Sequence, residues 1–516
     1  MREIITLQLG QRSNYLATHF WNVQESYFTY SENEASPVDH DISFRPGIGA
    51  DGSETFTPRT IIYDLKGGFG SLRQYNALYE VEENVGMPKG LWDGNEVIQR
   101  QPNIPQSEYQ KALELGLPLP RLTPETVRYW SDFNRLFYHP KSIVQLNEYE
   151  MNSQLMPFED WTVGEAFFNS LDREHDLLDR DFRPFAEECD QLRGIQLFTG
   201  TDDAWGGFAA RYIDRLRDEF GKKSIWTFAL ESGLKTEREK QFLRAKNSAK
   251  SISEISRQST AYVPISMPPS KLPHYVNLNI ASEWYISALT SVAVESVTLP
   301  GRLRWYEGIE PWFLDNAGPQ RIFALRATIR SENSELPFAS HLSPNDSTQM
   351  DTDEVDHDEI EQSEQRFDLG FSPIGSATRT NNTHIFSRVQ VVRDSKCNSE
   401  RPERAEVGQG LTSHRLSLMT GDVPSTLSNF RSTLEFPILD SFPSDLIHEQ
   451  GPAGSTLRVD AALSATSDIG RDLKNLQQTI GRRVALEERE DLINGLHELS
   501  HAYQARWEND SDSGDD

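Results

Sequence analysis

Apolar and β-branched residues crowd into Glu3 to Leu9, at Ile4, Ile5, Leu7 and Leu9, and stop at Gly10, the pattern of a short strand delivered to a turn. Leu16, Phe20, Val23 and Tyr27 then recur at i, i+4, i+7 and i+11, which puts one apolar stripe on a helix beginning near Ser13. From Pro37 to Thr57 the chain is polar, rich in Gly and Asp and without a sustained period, so a surface loop is predicted. Strand character resumes over Thr60 to Leu65 and ends in Lys66-Gly67-Gly68, which brings a second strand to the same sheet edge. The clearest unit starts at Ile195 to Phe198. The loop TGTDDAWGG follows, then Ala209, Ile213, Leu216 and Phe220 on one helix face, Gly221 as a stop, and a strand from Ser224 to Leu230. That is a βαβ unit, right-handed if the sheet is parallel, and the fold class is α/β.

The same reading covers the rest of the chain. Phe182, Phe185, Ala186, Cys189 and Leu192 suit an amphipathic helix, and Glu237 to Arg257 a charged one. Pro264, Pro268, Pro269 and Pro273 predict an irregular connection, with helix returning from Ala281 to Val294. Much of Ser331 to Arg404, which is rich in Ser, Asn and Thr, is expected to be poorly ordered or looped out. Leu473, Leu476, Ile480 and Val484, followed by Leu492, Ile493, Leu496 and Leu499, predict a helical hairpin within Leu457 to Trp507. The last nine residues, ENDSDSGDD, are an acidic tail.

With 516 residues the chain exceeds the roughly 250–300 at which one core stops growing, so more than one packed unit is expected. A formal net charge of -28 sets a field that repels phosphate backbones, which argues against direct nucleic-acid binding. Part of it is local: Asp351, Asp353, Glu354, Asp356, Asp358, Glu359, Glu361 and Glu364 fall together without an intervening Lys or Arg. Two cysteines, Cys189 and Cys397, give neither a disulfide framework nor a CxxC pair. The longest apolar run, Trp284 to Val294, is stopped by Glu295 well short of the roughly 20 residues of a membrane span. The start, MREIITLQLGQ, lacks the marks of a signal peptide or a cleaved mitochondrial presequence. No HExxH, GxSxG or GxxxxGK[ST] motif appears, and TGTDDAWGG does not supply the GxGxxG turn of a dinucleotide enzyme.

Three blocks carry a resemblance. MREIITLQLGQRSNYLATHFWNV resembles the amino terminus of tubulins, where a first strand enters a G-Q-C-G-N-Q loop and a helix bearing F-W; Gly10, Gln11, Asn14, Phe20 and Trp21 match, while Arg12, Ser13 and Tyr15 depart. PRTIIYDLKGG resembles the tubulin turn P-R-A-(apolar)3-D-L-E-P-G, with Asp64 matched and Lys66 replacing an acidic residue. AEECDQLRGIQLFTGTDDAWGGFAARYIDRLRDEFGKKSIWTFAL is similar to the tubulin stretch containing the glycine-rich loop. There Asp202, Asp203, Ala204 and Trp205 stand in most of the G-G-G-T-G-S-G signature and only Gly206 and Gly207 remain. The segments YHPKSIVQLNEYE, FEDWTVGEAFF and FPILDSFP fit the Misato branch of tubulin-related proteins, and the chain resembles that family over most of residues 1 to 310.

A glycine-rich loop grips phosphate by bringing backbone N–H groups against its oxygens at a helix start. Two aspartates there oppose the ligand by several kcal/mol at low local dielectric unless a cation intervenes. The resemblance thus implies a tubulin/FtsZ-like Rossmann-type parallel sheet flanked by helices, with a second α+β domain and a helical C-terminal region. The corresponding division is 1–115, 120–310 completing the nucleotide-fold core, 311–456 with an acidic insert near 331–404, 457–507, and a tail at 508–516. Gly10, Gln11, Asn14, Gly206 and Gly207 are the candidate residues of a vestigial nucleotide pocket. Gln11 and Asn14 serve equally well as local caps, Asp64 as a strand-end turn former, and Asp202 and Asp203 as acids at a helix N-terminus. No catalytic residue, metal or cofactor is assigned, with GTP as the alternative ligand.

The resemblance further implies an association with mitochondria, on the cytosolic face and in the cytoplasm, and a role in their partitioning and in the inheritance of their DNA. Cytoskeletal, chaperonin or mitochondrial surface proteins are the implied partners. The alternative is a GTP-binding, polymerising tubulin homologue acting in cytoskeleton or spindle organisation, whose Asp202 and Asp203 recruit a cation.

Overall fold

A computed structural model describes residues 2–29, 35–49, 52, 54–73, 104–269, 271–304, 319–330, 366–370, 383–396, 426–448, 451–481 and 486–504. The acidic run, Cys397 and the tail lie outside the described residues.

The first sheet is wholly parallel. Its strands are β1 (Ile4–Leu9), β4 (Thr60–Lys66), β5 (Ile143–Glu150), β6 (Gly194–Gly200), β7 (Ser224–Ser232) and β8 (Ala261–Met267), in the order β5-β4-β1-β6-β7-β8. β1 and β4 come from the first 115 residues and the other four from 120–310, so the two segments build one sheet and one core. Helices α1 (Gln11–Ser26), α2 (Glu108–Glu114), α3 (Trp161–His175), α4 (Arg183–Glu187), α5 (Ala204–Glu219), α6 (Arg238–Gln258) and α7 (Glu283–Thr298) accompany it. α1 begins two residues before the predicted start and is buried from Ser13 to Gln24, because it is enclosed by the sheet, α7 and the 130–133 turn rather than resting on one stripe.

Four expectations are corrected. The predicted loop at 37–57 contains an antiparallel hairpin, β2 (Phe44–Ile48) and β3 (Glu54–Pro58). Phe44 meets Trp21 and Phe28 edge-on at 5.7 and 5.0 Å, while the polar Thr55 and Thr57 are buried and the apolar Ile48 and Phe56 exposed, so the pattern of hydrophobic positions does not mark the strands. Pro264 lies inside edge strand β8. Tyr262 N–H and Ser266 N–H point away from β7, to Arg321 and Leu369 carbonyls, so Pro264, between them in parity, lacks only an outward donor. The predicted helix through Leu192 ends at Glu187, after a π-turn at Leu178–Phe182.

The fourth correction concerns the C-terminal half. A second sheet, ordered β10-β9-β14-β11-β12, contains β9 (Ala324–Arg330), β10 (Arg366–Asp368), β11 (Ile385–Arg393), β12 (Thr426–Ser432) and β14 (Thr456–Thr466), with β13 (Phe436–Pro437) paired to β14. Two of these strands, β10 and β11, fall within 331–404, where loop was expected over much of the length. β14, read as the start of the helical hairpin, is central to the sheet. The hairpin itself is α8 (Ser467–Gly481) and α9 (Leu486–His501), packed on each other and on α6.

α7 joins the two sheets. It touches α1, β8, β9, β11 and β14, and every residue from Trp284 to Thr298 is buried, including Glu295. No helix among the described residues is long and apolar enough to cross a membrane.

Candidate functional site

In an open parallel sheet the crevice outside the carboxyl ends of the strands, where strand order reverses, is the usual ligand position. Here the reversal is at β1, with β4 on one side and β6 on the other. A cavity of about 340 Å³ opens there, walled by Gly10, Gln11 and Arg12 after β1, Asp64 and Leu65 of β4, Gly200, Asp202 and Asp203 after β6, and Glu283 at the start of α7. Residues 150–153 and 157–159 form its rim, and Lys240, Leu243 and Arg244 of α6 its far wall.

The charges of this wall satisfy one another. Arg12 Nη1 donates to Asp202 Oδ1 at 2.5 Å and to the Leu230 carbonyl at 3.2 Å, and Arg12 Nη2 donates to Asp203 Oδ2 at 3.2 Å. Asp202 Oδ2 accepts from Ser232 N–H at 3.0 Å, with Arg244 Nε 3.7 Å away. Burial disfavours the Arg12 charge, but Asp202 and Asp203 together hold its pKa above the ordinary arginine value. Asp203 is pushed up to about 6 by burial, with Arg12 pulling the other way. Beyond Asp202, burial pushes Glu231 up to about 8, and its Oε1 has no hydrogen-bond partner.

Asp203 is the N-cap of α5: its Oδ1 accepts from Trp205 N–H at 3.0 Å. The helix therefore starts at Ala204, and Gly206 and Gly207 lie inside it, away from the cavity wall. A Cβ on Gly207 would strike the Trp161 carbonyl and the Glu165 amide of α3, and one on Gly206 would meet Ser251 of α6. These glycines permit close helix packing instead of phosphate contact.

Gly10, at φ +84°, has the Trp205 indole against its Cα, so a side chain there is barred twice over. Gln11 Nε2 donates to Asp64 Oδ2 at 2.5 Å and to the Gly68 carbonyl at 2.7 Å. Asn14 Nδ2 donates to the same Asp64 oxygen at 2.7 Å from one layer behind the wall, and Asp64 Oδ1 accepts from Leu65 N–H at 2.8 Å. Burial raises Asp64 to about 7 against these hydrogen bonds. Lys66 is not on the cavity wall.

Of the five sequence candidates, Gly10 and Gln11 line the cavity, while Asn14, Gly206 and Gly207 do not. Arg12, Arg244 and Glu283 do line it and were not among the candidates. The signal for Arg12 was present, since a basic departure in one block and two acidic departures in another form a complementary set.

A polyphosphate does not fit this arrangement of side chains. The first-turn N–H of α5 is taken by its own cap, Trp205 covers the β1 turn, and six carboxylates face three cations around the cavity. Among the described residues no group of three or more His, Cys, Asp or Glu is placed to hold a metal ion.

The two sheets, the linking helix α7 and a crevice at the β1 reversal define a tubulin-like protein. Residues 2–115 match the Misato Segment II tubulin-like domain and residues 119–303 the Tubulin domain. Over the full length of both chains the protein is 99% identical to Protein DML1 of Coccidioides immitis, 52% to Protein dml1 of Aspergillus niger and 44% to Protein dml-1 of Neurospora crassa. The chain belongs to the Misato/DML1 family of tubulin-like proteins.

Proposed function

We propose that this chain is a non-catalytic tubulin-related protein that supports the distribution and partitioning of mitochondria and the inheritance of mitochondrial DNA. It acts at the cytosolic face of the organelle and in the cytoplasm, without a nucleotide cofactor, through cytoskeletal, chaperonin or mitochondrial surface proteins. The single observation behind the non-catalytic part is the Arg12–Asp202–Asp203 contact, which puts a side-chain cation and two carboxylates where a phosphate chain would be gripped. The organelle role rests on the Misato resemblance and on family membership.

Depletion in living cells tests the cellular part: clumped or unevenly inherited mitochondria and loss of their DNA are expected, and normal organelle distribution would contradict it. Purified protein is expected to show no GTP hydrolysis above background. Hydrolysis abolished by Gln11→Ala would overturn the non-catalytic part.

A second reading, a GTP-binding and polymerising homologue, is favoured by one feature: α1 starts on the cavity wall with no side-chain cap, beside the retained Gln11 and Asp64. It predicts magnesium-dependent GTP affinity and filaments.

A further inference from the structure

The charges that exclude phosphate leave part of the cavity wall without a partner. Asp202 and Asp203 are held by Arg12 and Arg244, Glu159 lies 3.4 Å from Lys240, and Asp64 is bonded by amides. Among the described residues Glu150 and Glu283 make no such ion pair, and Glu283 feels Arg12 only through space, without contact. Glu283 is the first residue of α7, where the helix dipole favours a carboxylate, and yet its Oε2 is shut off from solvent with no hydrogen-bond donor.

The rim has a different character. Leu155 is 94% exposed and Met156 53%, on the loop whose Phe158 is fixed edge-on to Trp205 at 5.2 Å. Large apolar side chains held out at the mouth of an acid-walled cavity match a guest that is cationic at its end and apolar beside it. The same wall already binds one guanidinium, that of Arg12, and the net charge of -28 draws basic partners towards the whole chain.

We propose that this cavity is the docking point for a basic side chain of a partner protein, an arginine or lysine flanked by apolar residues. The charged end sits on Glu283 and Glu150, and the apolar flank on Leu155 and Met156. This deepens the non-catalytic reading and rests on it, since a bound nucleotide would take the same space.

Titration of the full-length chain with a fluorescent capped peptide of sequence leucine-arginine-leucine, against its leucine-glutamate-leucine counterpart, tests the assignment. Binding is expected for the arginine peptide only, and it weakens as salt rises. Glu283→Gln, which keeps the size and helix position, should lower affinity by roughly tenfold or more. Leu155→Ser combined with Met156→Ser should lower it about three- to tenfold. Glu498→Gln, a surface acid outside the cavity, should leave it unchanged.

Equal binding of both peptides, or an unchanged affinity in Glu283→Gln, would overturn the assignment. So would an equal loss in Glu498→Gln, which would mark attraction to the net charge alone. A separate titration with GTP and magnesium reports on the non-catalytic reading: binding there sinks that reading, whereas absence of both GTP and peptide binding sinks only the docking site.

Discussion

The chain builds the same chemical pairing, guanidinium on carboxylate, at both ends of one helix pair, and the two ends behave differently. α1 and α7 begin at the open cavity, with Arg12 and Glu283, and end at a sealed cluster around Glu295. In the cluster Arg393 of β11 pairs with Glu295, and Arg302 Nη2 donates to its Oε1 at 3.1 Å. Gln24 of α1 and Tyr27, which follows it, donate to that oxygen at 3.2 and 3.1 Å, and Arg393 also donates to the Leu434 and Glu435 carbonyls. Arg393 and Glu295 are fully buried.

Burial alone would raise the Glu295 pKa, but Arg393 and Arg302 hold it below the ordinary carboxylate value. At the cavity the carboxylates Asp64, Asp203 and Glu283, and Glu231 beyond the wall, are instead raised by burial. The sealed pairing thus fixes how the second sheet sits on the first. The open pairing lines the cavity wall.

The largest effect expected from breaking this contrast is at the sealed end. Arg393→Ala leaves Glu295 charged and buried and should cost about 3–5 kcal/mol in denaturant unfolding. A loss within about 0.5 kcal/mol, the range of an ordinary surface substitution, would show that the cluster does not join the sheets.

Gly207→Ala forces α5 away from α3 and should cost about 1–3 kcal/mol, seen as a lower Tm, with no dependence on pH. Arg12→Ala should cost about 1–3 kcal/mol, because buried Asp202 loses its main partner but keeps Ser232 N–H and has Arg244 nearby, while the Asp203 pKa rises above its present value of about 6. An NMR titration of Asp203 that stays in place would break the pairing.

The smallest effect is a slope. The Glu231 carboxyl has its pKa raised in the folded state, so it contributes stability that is complete below the unfolded carboxylate range and is lost as pH rises through about 8. Glu231→Gln should flatten the decline of stability between roughly pH 5 and 8, and an unchanged slope would place the charge elsewhere. Glu295 has the opposite sign, with its contribution lost on acidification.

The fold was most legible where strands are fed to glycine turns, at β1–α1 and at β6–α5–β7. There alternation, helical spacing and punctuation agree, and the structure follows them within a few residues. β14 was misread because TLRVDAALSAT is buried on both faces at the centre of a sheet, so its small residues carry no alternation to tell strand from helix. Glu295 looked like the end of an apolar run, since its partner Arg393 lies 98 residues away and only the fold brings them together.

The candidate site was legible in its frame and not in its detail. Motif matching counts positions, but Asp203 caps α5 early and carries Gly206 and Gly207 into the helix. Gly10 and Gln11, fixed by the end of β1, stay on the wall.

The central claim is that side chains have taken the place of phosphate in this tubulin-like crevice. Native mass spectrometry of the purified chain, followed by analysis of small molecules released on denaturation, tests it most directly. The account predicts the bare chain mass and no guanine nucleotide for both the natural protein and Gln11→Ala. One GTP or GDP per chain, lost in Gln11→Ala, would contradict it.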